Sequence, residues 1–242
     1  MPKTIIFNKY QKRADNYHWR QISRNIFRFN AYVAARYQQV VNLIPQKSQQ
    51  KILDIGCGDG VLLSLISQKT KSRLFGLDLD QASLDYAKTK VKAKFIQGSA
   101  GKIPFKNNFF DLVLATEIIE HLSQPEFMLQ EIHRVLKPQG KMILTTPLKA
   151  GKTPEDKLHL QEFSPLELTE LLRPYFHQIT ISQSHPLWLK KIYSLTLLKF
   201  GRFHCDLFRW LVNVLTFVTG YNLFNYPCGR LSQQLAVAAK KK

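Results

Sequence analysis

The stretch Lys51-Ile-Leu-Asp-Ile-Gly-Cys-Gly-Asp-Gly60 decides the fold. An apolar run suited to a β-strand leads into three glycines at alternate positions, and an amphipathic segment, Val61-Leu-Leu-Ser-Leu-Ile-Ser67, follows. Glycine serves where a backbone must turn tightly and approach a ligand closely. The helix start beyond it offers N–H groups with no partner inside the helix. A second apolar run, Arg73-Leu-Phe-Gly-Leu-Asp78, ends in an acid. Strand, glycine turn, helix and strand-terminal acid, spaced by about 20 residues, is the order in which an α/β sheet holds a nucleoside.

The alternation extends outward from this stretch. The pattern predicts strands at 51–55, 73–78, 93–97, 110–115, 140–145 and 177–182, with helices at 60–69, 81–90, near 117–122, at 125–136 and at 165–172. Pro138 and Gly140 end the fourth of these helices, and a loop crosses 147–163. Such alternation implies a parallel sheet with helices on both faces. Before it, apolar residues at three- and four-residue steps from Ile22 to Ile44 predict a helix or two over 20–44, closed by Pro45. After it, 186–230 breaks the pattern with interleaved aromatic and basic residues. Helices are expected there at 187–200 and 204–219, and a last strand at 231–238.

With 242 residues and 45% hydrophobic side chains, the chain suits one elaborated α/β domain. Its three cysteines show no metal or redox spacing, and its N-terminus has no apolar run of signal-peptide length. A cytoplasmic setting is expected, peripheral to the membrane if the charge is used there. The net charge is +18, and it is unevenly placed. Residues 1–50 carry nine Lys/Arg against one acid, residues 187–242 nine against one, and residues 51–186 seventeen against fifteen. Basic flanks on a nearly neutral core point to an anionic partner: a membrane surface, nucleic acid or an acidic substrate.

The run Leu53-Asp-Ile-Gly-Cys-Gly-Asp-Gly60 resembles motif I of the class I S-adenosylmethionine (SAM) methyltransferases. The resemblance continues, in order, through Phe75-Gly-Leu-Asp-Leu-Asp80, Phe109-Phe-Asp-Leu-Val-Leu-Ala-Thr116 and Arg134-Val-Leu-Lys-Pro-Gln-Gly-Lys-Met-Ile-Leu144, and covers roughly 51–185. It implies a Rossmann-like, seven-stranded, mostly parallel sheet whose last strand is antiparallel. The chain then divides into an N-terminal helical extension (1–50), a SAM-binding core (51–186), a helical cap insertion (187–230), and the last strand with its basic tail (231–242).

The resemblance also implies roles. Gly56, Gly58 and Gly60 let the backbone pass the methionine part of SAM, with Cys57 as the small residue among them. Asp54 orders the ligand's ammonium end, and Asp59 faces the same pocket. Asp78 accepts from both ribose hydroxyls, because a carboxylate only accepts. Leu79 packs on adenine. Ser99, followed by Ala100, stands where relatives carry an acid for the adenine amino group. Thr116 and Glu117 edge the methyl-donor end.

Glu117-Ile-Ile-Glu-His121 places two carboxylates and an imidazole at i, i+3 and i+4, one face of a helix. With His159 the run resembles quinone-biosynthesis O-methyltransferases and small-RNA 2′-O-methyltransferases. In the latter these positions hold a divalent metal. Carried over, Glu117, Glu120, His121 and His159 are the candidate ligands for Mg²⁺, Mn²⁺, Zn²⁺ or Fe²⁺. Without metal, Glu117 organises SAM and His121 acts as a base or packs, while Glu117, His121 and His159 stay the catalytic candidates. His133, His177 and His185 are expected to be structural.

The function that follows is SAM-dependent O-methylation of a small or lipid-like acceptor, with the basic flanks suited to work beside an anionic membrane and the insertion expected to roof the acceptor pocket. RNA 2′-O-methylation is the alternative enzyme, weakened by the lack of a separate RNA-binding module. A SAM-binding regulator without turnover is the alternative of another class. The form of the glycine run argues against an NAD(P) oxidoreductase. The oligomeric state is not legible.

Overall fold

A computed structural model describes residues 16–23, 25, 28–46, 49–151, 153–154, 156–195, 198–200 and 203–241, with 198–200 and 203–205 as backbone only. The first fifteen residues of the expected extension, and the stretch where the helix expected over 187–200 was to continue through 196–197, lie outside the described residues. One seven-stranded sheet runs in the order β3-β2-β1-β4-β5-β9-β6. Its strands are β1 (Lys51–Ile55), β2 (Arg73–Asp78), β3 (Lys94–Gln97), β4 (Phe110–Thr116), β5 (Leu136–Pro147), β6 (Phe176–Pro186) and β9 (Leu231–Lys240). β1 to β5 pair in parallel, and β9 runs antiparallel between β5 and β6, as the resemblance implies.

Strand alternation divides the apolar side chains between two cores. Leu53 and Ile55 point to one face, where they meet Met128, Leu129 and Ile132 of α5 (Pro125–Val135) and Leu168 and Leu172 of α6 (Pro165–Leu172). Ile52 points to the other, with Leu62, Leu63 and Ile66 of α3 (Val61–Lys69), Leu84 of α4 (Gln81–Lys90) and Val40 of α2 (Ala31–Leu43). Each such buried aliphatic side chain contributes roughly 1.5–3 kcal/mol.

The helix or two expected over 20–44 is two, α1 (Tyr17–Gln21) and α2, with Asn30 capping α2: its Oδ1 accepts from the Val33 N–H at 3.2 Å. Four other elements differ from the sequence reading. Strand β5 begins at Leu136, and Lys137–Gly140 bulges out of its pairing with β4, with Gln139 at φ 64°. The helix expected near 117–122 is a 3₁₀ turn, Ile119–His121, preceded by Glu117 at φ 53°. Strand β6 runs beyond 182 to Pro186. Helix α7 (Leu187–Tyr193) stops short of 200, where the buried Tyr193 hydroxyl donates to Asn213 Oδ1 at 2.6 Å, and a backbone hairpin of β7 (Leu198–Phe200) and β8 (Phe203–Cys205) follows.

Helix α8 (Leu207–Thr219) completes the insertion. A third, small core joins it to the N-terminal region: Ala31 and Ala35 of α2 meet Leu189, Tyr193, Val212 and Phe224. Asn213 stitches the contact, accepting from the Ala31 N–H at 2.9 Å and donating to the Phe29 carbonyl at 2.8 Å. The insertion therefore braces α2 from behind.

Candidate cofactor and acceptor cleft

The carboxyl ends of β1, β2 and β4 open onto a cavity of about 410 Å³. Its first wall is the glycine turn. Gly56 takes φ 69°, which a side chain rarely adopts, and its N–H donates to the Leu77 carbonyl at 2.7 Å, tying β1 to β2. The Gly58 N–H donates to Asp78 Oδ2 at 2.7 Å, and the Asp80 N–H donates to Asp78 Oδ1 at 2.9 Å. Backbone amides thus fix the strand-end acid in place, and each oxygen keeps a lone pair for a further donor. Burial raises the Asp78 pKa, and these two amides oppose the shift.

Asp54 lies beneath, 1% exposed and on the cavity wall. Its Oδ1 has no hydrogen-bond partner among the described residues. Burial first, then the charge of Asp78, pushes its carboxyl well up. A buried carboxylate with an open oxygen is costly unless a cation reaches it. That is what the ammonium end of SAM supplies, so the acceptor present fits the cofactor. Leu79 lines the same cavity with 63% of its surface exposed, a face free to be covered by an aromatic base. Cys57, Ser99, Ala100 and Thr116 also line it.

Three positions expected at the pocket do other work. Asp59 turns away from it. Its Oδ2 accepts from the His18 N–H at 2.9 Å, its Oδ1 lies 3.3 Å from His18 Nδ1, and its backbone carbonyl accepts from Trp19 Nε1 at 2.7 Å. The acid therefore holds α1 over the cleft, which His18 lines. Gly60 faces Ala87, where an added Cβ would lie 2.9 Å from the Ala87 Cβ; its role is helix packing. Gly58 acts through its N–H on Asp78 and does not line the cavity.

The far end of the cavity is built from distant parts of the chain. Arg36 of α2 pairs with Glu117 Oε2 at 2.7 Å. Thr145 of β5 donates to Glu117 Oε1 at 2.9 Å, and Gln233 of β9 donates to the same oxygen. With its backbone at positive φ, Glu117 thus leaves the face it was expected to share with Glu120 and His121. The four-ligand metal set does not form.

Three of its members do converge: single donor atoms of Glu120, His121 and His159 lie within 4.8 Å of one another. Glu120 is fully buried; Oε2 accepts from Thr146 Oγ1 at 3.0 Å, and Oε1 has no hydrogen-bond partner among the described residues. Burial, then the charge of Glu117, holds its carboxyl well above the usual range. His121 Nδ1 lies 3.0 Å from the Leu158 carbonyl. A carbonyl only accepts, so Nδ1 carries the proton and Nε2 is the basic nitrogen. His159 Nδ1 is set by Glu162 at 2.9 Å. Of the three, His121 alone lines the cavity, between Ile118, Leu122 and Leu160.

His18, Arg36, Tyr37, Val40 and Thr145 are cavity residues that no motif in the sequence marks. Among the described residues the insertion contributes none to the cavity lining, so the expected roof over the acceptor pocket is not seen there; the insertion packs instead against α2, whose Arg36, Tyr37 and Val40 line the cavity.

The methyltransferase domain family matches residues 53–144. A Mycolicibacterium smegmatis protein assigned as an S-adenosylmethionine-dependent methyltransferase is 32% identical over 127 residues, covering 50% of this chain and 49% of that protein. The ubiquinone biosynthesis O-methyltransferase of Pseudomonas aeruginosa is 32% identical over 103 residues, 40% of this chain and 44% of that enzyme. The chain thus spans about half the length of these curated relatives. Among solved structures, phosphoethanolamine N-methyltransferase 2 of Haemonchus contortus with S-adenosyl-L-methionine superposes with a TM-score of 0.65 at 19% identity, over 100% of this chain and 62% of that one, and shares the fold. Residues 53–144 therefore match the methyltransferase domain family, and over this region the chain is similar to S-adenosylmethionine-dependent methyltransferases.

Proposed function

We propose that the chain transfers a methyl group from SAM to a hydroxyl oxygen of a small or lipid-like acceptor. One observation carries this reading. A single cavity presents a buried carboxylate with an open oxygen, Asp54, and a histidine, His121, whose Nδ1 is committed to a backbone carbonyl. SAM, when bound, supplies a methyl group on a positively charged sulfur. Asp54 meets the ammonium end, Asp78 accepts from the ribose hydroxyls, and Leu79 covers adenine. His121 Nε2 would take the proton of the acceptor hydroxyl as its oxygen bonds to the methyl carbon and the methyl–sulfur bond breaks, its electron pair staying on the sulfur of the departing S-adenosylhomocysteine. Glu117, held from three sides, fixes the wall against which the donor end lies. Ile118, Leu122 and Leu160 give the acceptor an apolar seat.

The convergence of Glu120, His121 and His159 favours a second form of the same chemistry. These three residues would hold a divalent ion, which would lower the pKa of the acceptor hydroxyl. Glu117 stays with Arg36 in either form.

The test is turnover of methyl-labelled SAM with separate lipid, soluble and RNA extracts. Label in the lipid or soluble fraction, with S-adenosylhomocysteine formed, is the expected result. Label in RNA moves the acceptor to a ribose 2′-hydroxyl. SAM binding with no turnover on any fraction makes the chain a SAM-binding regulator. Prior dialysis against a chelator separates the two mechanisms: undiminished turnover removes the ion.

A further inference from the structure

Helix α8 is amphipathic the wrong way round for a packed helix. Its buried side carries Val212 with two polar residues, Asn213 and Thr216. Its solvent side carries Leu207, Trp210, Leu211, Leu215 and Val218, each between 38% and 73% exposed. These five recur at three- and four-residue steps, so they form one continuous stripe along the helix. Immediately after the helix end, Tyr221 and Tyr226 stack with ring centroids 4.7 Å apart, both exposed. A contiguous apolar face of this length on a folded domain marks an interaction site.

Charge decides the occupant. Residues 187–242 hold nine basic residues and one acid, and the whole chain carries +18. A second copy of the chain would set like charges against each other. RNA would match the charge and could stack a base on Trp210, Tyr221 or Tyr226, but it would leave the four aliphatic side chains of the stripe, Leu207, Leu211, Leu215 and Val218, uncovered. An anionic lipid surface satisfies both features: acyl chains take the aliphatic stripe, tryptophan and tyrosine sit at the headgroup level, and Arg209 of α8 with Lys191 of the adjoining α7 meets the headgroup charge. The helix has 13 residues, about 20 Å at 1.5 Å per residue, short of a bilayer core. No described helix is long and apolar enough to cross a membrane. The geometry fits a helix lying in the interface plane.

We propose that α8 is a monotopic docking face that seats the domain on an anionic lipid surface. Its link to the cleft is α2: Asn213 of α8 bonds Ala31 at the start of α2 and Phe29 just before it, and about a turn and a half further on Arg36 grips Glu117. A lipid-like acceptor, if the proposed function holds, would thus leave the bilayer beside its own pocket. The docking face does not depend on that reading.

The experiment is sedimentation of the full chain, without SAM, with phosphatidylcholine vesicles containing about a quarter phosphatidylglycerol, against pure phosphatidylcholine. The wild type should sediment with the anionic vesicles, and added salt should weaken this without abolishing it. Leu211→Asp/Leu215→Asp should reduce binding by about tenfold or more, because each charge must enter the headgroup–acyl boundary. Both side chains are exposed, so unchanged circular dichroism and SAM affinity are expected and confirm that the variant folds. Lys191→Glu, on the exposed side of α7, should give a smaller, salt-sensitive loss. A wild type that stays in the supernatant overturns the proposal, as does a double variant that binds like wild type. A wild-type dimer that the double variant splits would assign the face to a second copy and overturn it too. Because SAM affinity is read separately, failure here leaves the methyl-transfer reading standing, and the reverse also holds.

Discussion

The two ends of the cleft are made in different ways. The cofactor end comes from one stretch of chain, 54–100, and is fixed by backbone amides: Gly56 to Leu77, Gly58 to Asp78, Asp80 to Asp78. The acceptor end is assembled around Glu117 from side chains that lie far apart in sequence: Arg36 from α2, Thr145 from β5, Gln233 from β9. Backbone geometry tolerates few sequences, whereas a wall of side chains can be rebuilt by substitution. A fold organised this way keeps one cofactor and is free to change acceptor.

The largest effect that tests this division is on turnover. His121→Ala should lower kcat by roughly 10²–10⁴-fold, the range for losing a positioned base, with SAM affinity unchanged. A fall in affinity without a fall in kcat would place His121 at the cofactor end and break the comparison. Next, Asp78→Ala should weaken SAM by about 1.5–3 kcal/mol, the range for hydrogen bonds to a charged partner. Titration calorimetry reads it directly, and an unchanged Kd in a folded variant removes Asp78 from the ribose. The acceptor wall gives the third effect. Arg36→Met keeps the stem but leaves Glu117 unpaired, and should destabilise the fold by about 1–3 kcal/mol, the cost of stranding a half-buried charge. A double-mutant cycle with Glu117→Gln isolates the pair; a coupling below about 0.5 kcal/mol would mean the two do not act together.

This contrast also explains what was legible. The glycine turn, Asp54 and Asp78 are local signals, and the sheet order follows from alternation that carries apolar residues to both faces. The helix expected at 165–172 is α6, whose start Ser164 and Glu167 cap reciprocally. Glu117 was misplaced because i, i+3, i+4 spacing assumes helical backbone, and positive φ at Glu117 cancels it. Asp59 was misplaced because its partner, His18, lies 41 residues earlier. Arg36 was hidden within a basic flank, with nothing local to distinguish it from a solvated charge. At the end of α7, Tyr193 is tied to Asn213, twenty residues further along, by a buried bond that no short window of sequence contains.

The smallest effect concerns pH, and there the two regions should respond with opposite sign. Asp54, in the cofactor end, has a folded pKa raised well above 3.8 by burial and by Asp78. Protonation therefore favours the folded state; that stability is complete below the unfolded pKa and is lost as pH rises through the folded one. Bound SAM should offset the loss by pairing with the carboxylate. His185, between Tyr32 and Phe224 behind Arg36, is fully buried, and burial, then the Arg36 charge, lowers its pKa from 6.5 to about 3. Its neutral form favours the folded state, so that stability is complete above 6.5 and is lost as pH falls toward about 3. Thermal melts across that range should therefore separate two variants. Asp54→Asn should raise the Tm of the cofactor-free protein at neutral pH by a few degrees, at roughly 2–4 °C per kcal/mol for a domain of this size, and lose the advantage when SAM is added. His185→Phe keeps the ring stack on Phe224 and should flatten the acid limb alone. If both variants shift the same limb, the cleft titrates as one unit, and the division between a backbone-built cofactor end and a side-chain-built acceptor end does not extend to its electrostatics.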